Sequence, residues 1–347
     1  MVPAGRYKLS YRINNELRIF IRHLFPAGRF PNSATNTNAQ PLAASLTDTH
    51  RMTGIIKKTT YRQLDKIGRP DIFIKLECDQ FAGSFKSRGI VHFLSQIDNP
   101  KGLVTFTTGN HGISVSAIAR QLSLPAIIIT TDRITNYKQT IIENSGATVQ
   151  LIDFYNFDKA TALAKQTAKD LDYTFVPLYG NYNLLEGYSK IADEICTDFE
   201  GNLTMLFPVG TGSLLYSNAK RAKAINPNNK IIGVEPEVYQ RLNGIAHHNG
   251  PSSSIADSLA IDRIPTCNLE LTKFTDNILT IKETEIANAT KLIYEQFSLV
   301  TEAGGAITLA AALKTERDNI KKVAIITGKN ISTEKFHFIT SNFHSKR

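Results

Sequence analysis

Two patterns of apolar residues, one typical of strands and one typical of helices, alternate along most of the chain. From about residue 52, short apolar runs typical of buried strands are each followed by a longer stretch with apolar residues at helical spacing. This alternation is typical of parallel sheets covered by helices on both faces, so we predict the α/β class. Ligands in such folds bind beyond the carboxyl ends of the strands. The predicted strands are 71–77, 102–108, 125–131, 147–153, 203–210, 230–237 and 323–328, and the predicted helices are 84–97, 111–123, 136–146, 157–171, 184–196, 213–225, 282–297 and 305–317.

Composition narrows the class of protein. The 347 residues are 42% apolar, which is ordinary for a globular chain and enough for two lobes. No apolar run approaches the roughly 18 residues that span a bilayer, so we expect no membrane partner. The net charge of +9 is spread without an aromatic-interleaved basic stripe, which favours a role in solubility or in attracting anionic ligands over nucleic-acid binding. Cys78, Cys196 and Cys267 are too widely spaced for a disulfide framework or a metal cluster, so we expect the cytoplasm.

Residues 1–51 differ from the rest of the chain. The stretch 6–25 is basic, carries Glu16 as its single acid, and places apolar residues at helical spacing. Such segments occur in organellar targeting sequences, and also as helices on a membrane surface or packed on their own protein. These alternatives stay open, and we place 1–51 outside the predicted catalytic fold.

Several loops that follow predicted strands carry candidate ligand-binding groups. The loop 210–213 reads Gly-Thr-Gly-Ser before a helix, where converging amides and the helix dipole favour an anion such as a phosphate. It is neither a dinucleotide-binding fingerprint nor a Walker loop. Thr107, Thr108, Asn110 and His111 follow another strand and suit a carboxylate. Taken singly, each loop is equally explained as a tight strand-to-helix turn.

Two further loops and a lysine complete the set. Thr327 ends the last predicted strand, and Glu302 precedes a glycine pair at a helix start, where a carboxylate also complements the helix dipole. Lys86 lies just after a strand in "GSFKSRG", where a lysine alone is generally a solvated cation. Together these groups are explained by one ligand, an aldehyde cofactor with a phosphate tail that forms a Schiff base with the lysine.

The motifs resemble those of fold-type II pyridoxal-phosphate enzymes, in the threonine dehydratase and serine racemase branch. Six motifs match in the same order between about residues 52 and 332, which makes the resemblance specific. They are "KLECDQFAGSFKSRGI", "TTGNHGISV", "PVGTGSLL", "IIGVEPE", "TEAGGAITLAA" and "ITGKNIS".

The resemblance implies roles for particular residues. Lys86 would form the Schiff base with pyridoxal 5′-phosphate and move the α-proton, with Thr108 as the catalytic partner on the opposite face. Phe85 would lie against the pyridine ring, Asn110 would bond its phenolic oxygen, and Thr327 would face its nitrogen. Thr107, Thr108 and His111 would line the substrate carboxylate site. The phosphate would be held by the backbone amides of Gly210, Thr211, Gly212, Ser213 and Leu214.

One departure from the pattern concerns a metal site. The branch places a divalent cation between the glutamate of V-E-P and an acid six residues later. Glu235 is present here, but Arg241 occupies the second position. A guanidinium opposes a cation and is suited to pair with Glu235 instead, so we predict no metal.

The resemblance also implies the architecture and the activity. We expect a two-lobed fold with parallel-rich sheets flanked by helices and the cofactor in the interdomain cleft. The large domain would be 52–99 plus 183–332, the small domain 100–182, and the C-terminal tail 333–347. The activity would be α,β-elimination on serine or threonine, giving a 2-oxo acid and ammonia, with racemisation in addition and a homodimer as the assembly.

Two alternatives to elimination are kept. The first is β- or γ-replacement, as in threonine synthase or cysteine synthase, because Thr327 and the stretch 183–195 resemble threonine synthase. The second is a cofactor-binding regulatory protein with little turnover. Products from a panel of amino acids distinguish elimination from replacement, and a cofactor absorbance band without turnover indicates the regulatory protein.

Overall fold

The computed structural model describes residues 52, 54–153, 156–242, 254–261, 270 and 272–342. Residues 1–51, with their predicted targeting or packing helix, lie outside this part of the chain. The described strands form a six-stranded sheet in the order β1-β2-β10-β7-β8-β9 and a four-stranded sheet in the order β5-β4-β3-β6. The strands are β1 (Tyr61–Leu64), β2 (Arg69–Lys75), β3 (Leu103–Phe106), β4 (Ala126–Thr131), β5 (Thr148–Ile152), β6 (Thr174–Phe175), β7 (Leu203–Pro208), β8 (Lys230–Pro236), β9 (Asn277–Ile281) and β10 (Lys321–Ile325).

Helices cover both sheets, as the alternating pattern predicted. Each of the longer predicted helices is found: 157–171 and 213–225 have the predicted limits, and the limits of the others differ by up to three residues, which is the usual uncertainty at helix ends. The helices are α1 (Lys86–Leu94), α2 (Asn110–Gln121), α3 (Asn136–Asn144), α4 (Phe157–Leu171), α5 (Tyr182–Asp198), α6 (Ser213–Ile225), α7 (Glu283–Phe297), α8 (Ala303–Lys314) and α9 (Thr333–Asn342).

Parallel pairing dominates both sheets. Apart from the antiparallel β1–β2 pair, the strand pairs in the described residues are parallel. The central strand β10 sets the register of the larger sheet, because Val323 lies between Phe73 of β2 and Met205 of β7. Strands buried on both faces read as continuous apolar runs, and β3, β4 and β7 are buried along their whole length. The predicted α/β class with parallel-rich sheets is confirmed.

Some elements differ from the prediction. Strands β1, β6 and β9 were not predicted, because they are short edge strands without a buried apolar run. Helix α9 was not predicted and lies at the start of the segment 333–347; it buries Phe336 and Ile339 in the same cluster as Ile286 of α7. The division into a large and a small domain stays a prediction. None of the helices in the described ranges is long and apolar enough to cross a membrane.

Candidate active site

A cavity of about 370 Å³ lies where the loops after β2, β3, β7 and β10 meet. These loops follow the carboxyl ends of their strands, which is where α/β folds bind ligands. The volume lies in the usual range for a small-molecule site. Eleven of the residues singled out from the sequence line it: Phe85, Lys86, Thr107, Thr108, Asn110, His111, Gly210, Thr211, Gly212, Leu214 and Thr327.

Lys86 is positioned by the end of the central strand. It is the first residue of α1, and the preceding loop crosses the chain that leaves β10. Ser84 and Gly328 form an isolated antiparallel bridge, and the Phe85 amide donates a 3.1 Å hydrogen bond to the Thr327 carbonyl. Lys86 and Thr327 are therefore held at the same cavity by backbone contacts, which do not depend on side-chain rotamers.

A buried ion network fixes helix α1 behind Lys86. The Arg88 guanidinium donates to both oxygens of Glu77 at 2.7 and 2.8 Å, and to both oxygens of Glu194 at 2.7 and 3.0 Å. Lys75, which is fully buried, also pairs with Glu194 at 2.7 Å. Removing one member of such a network leaves an unpaired buried charge, at a cost of about 3–5 kcal/mol. The network gives Arg88 a structural role, because it fixes the helix that carries Lys86.

The amine of Lys86 lies in a weakly solvating environment. Its Nζ is 4.9 Å from the centre of the Phe85 ring and 5.7 Å from the centre of the Tyr188 ring. Part of the side chain reaches the open cavity, but the protein surrounds the amine, and this burial lowers the pKa of Lys86 to about 8. No carboxylate of the described residues pairs with it. A lysine prepared in this way is suited to covalent chemistry with a carbonyl group.

Glu302 is the centre of a polar cluster beside Asn110. Its Oε1 accepts hydrogen bonds from Asn110 Nδ2 at 2.7 Å and from the Asn330 amide at 3.0 Å. Its Oε2 pairs with Lys138 Nζ at 3.2 Å. Asn330 Nδ2 also donates to Asn110 Oδ1 at 2.9 Å. The Asn110 side chain is thus held on both sides, and one of its amide hydrogens stays available to a ligand.

Lys138 is a charged residue that the sequence did not single out. It is buried at the cavity, where desolvation alone would lower its pKa, but the Glu302 and Asp257 carboxylates outweigh that effect and raise it. Asp257 also lines the cavity and pairs with Lys335 at 2.7 Å. Among the described lining residues, the cations Lys86, Arg133 and Lys138 stand against one acid, Asp257, which favours an anionic ligand.

The anion-binding loop before α6 depends on a glycine. Gly212 has φ +81°, in the left-handed region, and is the last residue before the helix begins at Ser213. Gly212 and Leu214, on either side of Ser213, line the cavity, so the N-terminus of α6 lies at the cavity, where the helix dipole favours negative charge. Ser213 is the exception among the predicted residues, because it does not line the cavity and its hydroxyl accepts a 3.3 Å hydrogen bond from Thr211.

The loop after β3 presents hydroxyl groups and an imidazole. Thr107 Oγ1 accepts a 3.2 Å hydrogen bond from the Gly109 amide, which shapes the turn into α2. Burial, together with the nearby Lys86 charge, lowers the pKa of His111 to about 3, so the ring is neutral. The Val176 carbonyl lies close enough to oppose this shift, but neither ring nitrogen makes a well-aligned hydrogen bond within the described part of the chain. A buried imidazole without partners is typical of a site completed by its ligand.

Thr327 packs against a glycine that admits nothing larger. A Cβ at Gly305 would lie 2.9 Å from the Thr327 amide and 3.3 Å from its hydroxyl. The glycine pair after Glu302 therefore lets α8 approach the end of β10 closely. This contact gives the glycine pair a packing role, which the sequence alone did not indicate.

Residues 52–328 match the family described as pyridoxal-phosphate dependent enzyme. The chain belongs to this family. The predicted fold-type II architecture and the cofactor pyridoxal 5′-phosphate are thereby confirmed. The match includes the loops that form the cavity.

Curated relatives and solved structures agree with this family. The chain is 31% identical to the L-threonine ammonia-lyase of Thermotoga maritima, over 77% of this chain and 69% of that one. It is 30% identical to an L-threo-3-hydroxyaspartate ammonia-lyase of Pseudomonas sp, over 82% and 94%. The serine racemase of Dictyostelium discoideum superposes with a TM-score of 0.72 at 27% identity, over 82% and 97%.

The residues of this pyridoxal-phosphate-dependent enzyme fit its cofactor. The Lys86 amine has a pKa lowered to about 8, which suits condensation with an aldehyde. The amides at the start of α6 suit the phosphate. Asn110 and Thr327 line the same cavity and offer polar groups to the ring. We keep the assignment of each residue to one part of the cofactor as a proposal.

Proposed function

We propose that this enzyme is a lyase that carries out α,β-elimination on a small hydroxy amino acid, giving a 2-oxo acid and ammonia. The observation that carries the proposal is the Lys86 amine, whose pKa burial lowers to about 8, in one cavity with an anion-binding helix terminus and neutral hydroxyl groups. The ammonia-lyase names of the two curated relatives support elimination over replacement. Racemisation is proposed as an additional activity.

Lys86 has two tasks in this proposal. When bound, the cofactor supplies an aldehyde that condenses with amines and a ring that delocalises the electron pair left by the departing α-proton. With a pKa of about 8, the Lys86 amine is neutral in a useful fraction of molecules near neutral pH, both as a nucleophile and as a base. It takes the α-proton of the substrate onto Nζ. The departing α-proton and β-hydroxyl together amount to one water, and a second water then hydrolyses the product to ammonia and the 2-oxo acid.

The loop after β3 binds the substrate carboxylate in this proposal. Thr107 and Thr108 offer hydroxyl donors, and the first amides of α2 add the positive end of the helix dipole. His111 is neutral, so it can donate one hydrogen bond to the substrate without placing a second positive charge beside Lys86. These contacts orient the α-carbon towards Lys86.

Thr327 is proposed to face the pyridine nitrogen. Its hydroxyl is neutral, and the described cavity lining offers Asp257 as its one acid, which is paired with Lys335. A nitrogen beside a neutral hydroxyl stays unprotonated, which makes the ring a weaker electron sink. Elimination is favoured under this condition, and transamination is not.

The test is a panel of amino acids with the full-length holoenzyme. L-serine, L-threonine, L-threo-3-hydroxyaspartate and O-phosphohomoserine are supplied, and 2-oxo acid, ammonia and chirality are measured. The expected result is stoichiometric 2-oxo acid and ammonia from at least one hydroxy amino acid. Turnover of O-phosphohomoserine alone, without a 2-oxo acid, would establish replacement instead.

Matched variants identify the lysine that carries the activity. Lys86→Ala should abolish the cofactor absorbance band near the visible edge together with turnover. Lys329→Ala is the control, because Lys329 lies two residues from Thr327 but is exposed and pairs with Asp79. A cofactor band without turnover of any amino acid in the wild type would support the regulatory alternative.

The predicted homodimer and cytoplasmic location stay predictions. Light scattering tests the homodimer.

A further inference from the structure

Arg241 carries a buried charge next to the cavity. It follows the end of β8, and its side chain is 3% exposed. Its Nε lies 3.8 Å from Glu235 Oε1, and the Glu235 side chain is fully buried. The guanidinium also lies 5.2 Å from the centre of the Tyr239 ring, and Tyr239 lines the cavity. A desolvated charge in this position needs several hydrogen-bond partners.

The partners are backbone carbonyls of two segments that form the cavity. Nη2 donates to the Val209 carbonyl at 3.3 Å and to the Leu259 carbonyl at 2.8 Å. Nη1 donates to the Ile261 carbonyl. Val209 directly precedes the anion-binding loop, while Leu259 and Ile261 line the cavity. One guanidinium therefore ties the loop before α6 to the segment 254–261.

The same residues do not fit the divalent cation that the sequence resemblance implies. Glu235 Oε1 accepts hydrogen bonds from the Arg241 amide at 3.1 Å and from the Leu242 amide at 3.3 Å. The permanent charge of the guanidinium stands beside this carboxylate, whereas a hard cation requires several oxygen ligands within about 2.6 Å. The described ranges contain no group of three acidic, histidine or cysteine side chains that could hold a metal.

We propose that Arg241 is a positioning residue that replaces an exchangeable cation with a covalently attached one. It holds the anion-binding loop in place for the cofactor phosphate by fixing the Val209 carbonyl against the 254–261 segment. A bound cation stabilises a fold by an amount that rises with the concentration of free cation. A guanidinium that belongs to the chain stabilises it by an amount that does not depend on any cation in solution. Cofactor affinity and thermal stability should therefore not depend on a divalent cation at this site.

Arg69 provides a matched control. It is 4% exposed, pairs with Asp71, and donates to the carbonyls of Ala312, Leu313 and Thr315. It lies at the start of β2, at the opposite end of the strand from the cavity. Arg69→Ala thus removes a buried guanidinium with comparable contacts, but away from the cofactor site.

The experiment measures the melting temperature of the full-length holoenzyme and the cofactor dissociation constant, with EDTA and with increasing Mg²⁺ or Ca²⁺. Both readouts depend on the family's cofactor and are independent of the proposed reaction. Wild type should show the same values in all conditions. Arg241→Ala should weaken cofactor binding by about tenfold or more, without rescue by either cation, and Arg241→Lys should be intermediate. Arg69→Ala should lower the melting temperature alone.

Two results would overturn the proposal. One is a saturable rise in wild-type melting temperature or cofactor affinity with either cation, reversed by EDTA. The other is an Arg241→Ala or Arg241→Lys variant that resembles Arg69→Ala, with cofactor affinity unchanged. If Arg241→Ala does not fold, Arg241→Lys and the wild-type titration decide between the outcomes.

Discussion

The Asn110 side-chain amide donates a 2.7 Å hydrogen bond to the Glu302 carboxylate, which joins the loop after β3 to the start of α8. The two residues are 192 positions apart in the chain. Lys138, from helix α3, pairs with the other oxygen of the same carboxylate. Three separate elements are thus fixed at one point of the cavity, and the orientation of Asn110 depends on a residue that touches the cavity only indirectly.

Glu302→Gln should lower both turnover and stability. Gln keeps one oxygen for Asn110, but it removes the negative charge that pairs with the buried Lys138. Leaving Lys138 without this partner costs about 3 kcal/mol or more. We expect a fall in kcat/KM of roughly tenfold and a lower melting temperature. The control is Glu285→Gln, because Glu285 forms a largely exposed pair with Lys314.

A double variant isolates the pairwise interaction. Lys138→Met combined with Glu302→Gln should be more stable than Glu302→Gln alone, because no unpaired buried charge remains. If the loss of stability in the double variant equals the sum of the losses in the two single variants, the two side chains act independently.

Cofactor loading should depend on pH with a midpoint near 8. The neutral amine is the nucleophile, and burial lowers the pKa of Lys86 to about 8, so the amine is protonated below that pH and reactive above it. The loading rate of the apoenzyme should rise about tenfold per pH unit below 8 and level off above it. Stopped-flow absorbance measures this rate. A rate that still rises beyond pH 9.5 would show an unperturbed lysine.

The same shift makes apoenzyme stability pH-dependent. Because the folded-state pKa of Lys86 is lowered, the unfolded chain binds more protons between about pH 8 and the ordinary value of 10.5. The contribution of this residue to the free energy of unfolding therefore rises with pH across that window. Lys86→Met should remove this rise, which chemical denaturation of the apoenzyme at several pH values measures.

We expect the Thr108 hydroxyl to act as a second proton donor opposite Lys86. It lines the cavity with its hydroxyl on a branched side chain, which has fewer rotamers than serine. Thr108→Ser should raise racemisation relative to elimination, and Thr108→Ala should abolish racemisation while elimination continues. Chiral chromatography of residual substrate measures the ratio. Equal racemisation by all three proteins would exclude a role for the hydroxyl.

Local sequence predicted the parts of the site that depend on strand ends. Lys86, Thr108, Gly212 and Thr327 each follow a strand, and parallel strands bring their carboxyl ends together. Glu302 was interpreted through the helix dipole, because its contacts with Asn110 and Lys138 come from distant parts of the chain. A buried lysine on a helix has the same local pattern as an exposed one. The contacts of Glu302 and the burial of Lys138 therefore became visible only in the folded structure, and not in the periodicity of the sequence.

Gly212→Ala should weaken cofactor binding as well as destabilise the fold. Gly212 has φ +81°, and an L side chain at such an angle costs about 1–2 kcal/mol, partly by shifting the backbone. A shift here displaces the first amides of α6, so we expect the cofactor dissociation constant to rise by about tenfold. Absorbance titration measures that constant, and thermal unfolding measures the loss of stability.

Gly146→Ala separates the two effects of this substitution. Gly146 has a similar φ of +85°, with nothing within 4 Å of an added Cβ, and it lies between α3 and β5, outside the cavity lining. The same backbone strain should therefore lower the melting temperature of Gly146→Ala and leave its cofactor affinity unchanged. If both variants lose stability and neither loses affinity, the α6 terminus does not hold the phosphate. A loss of affinity confined to Gly212→Ala assigns that function to the loop before α6.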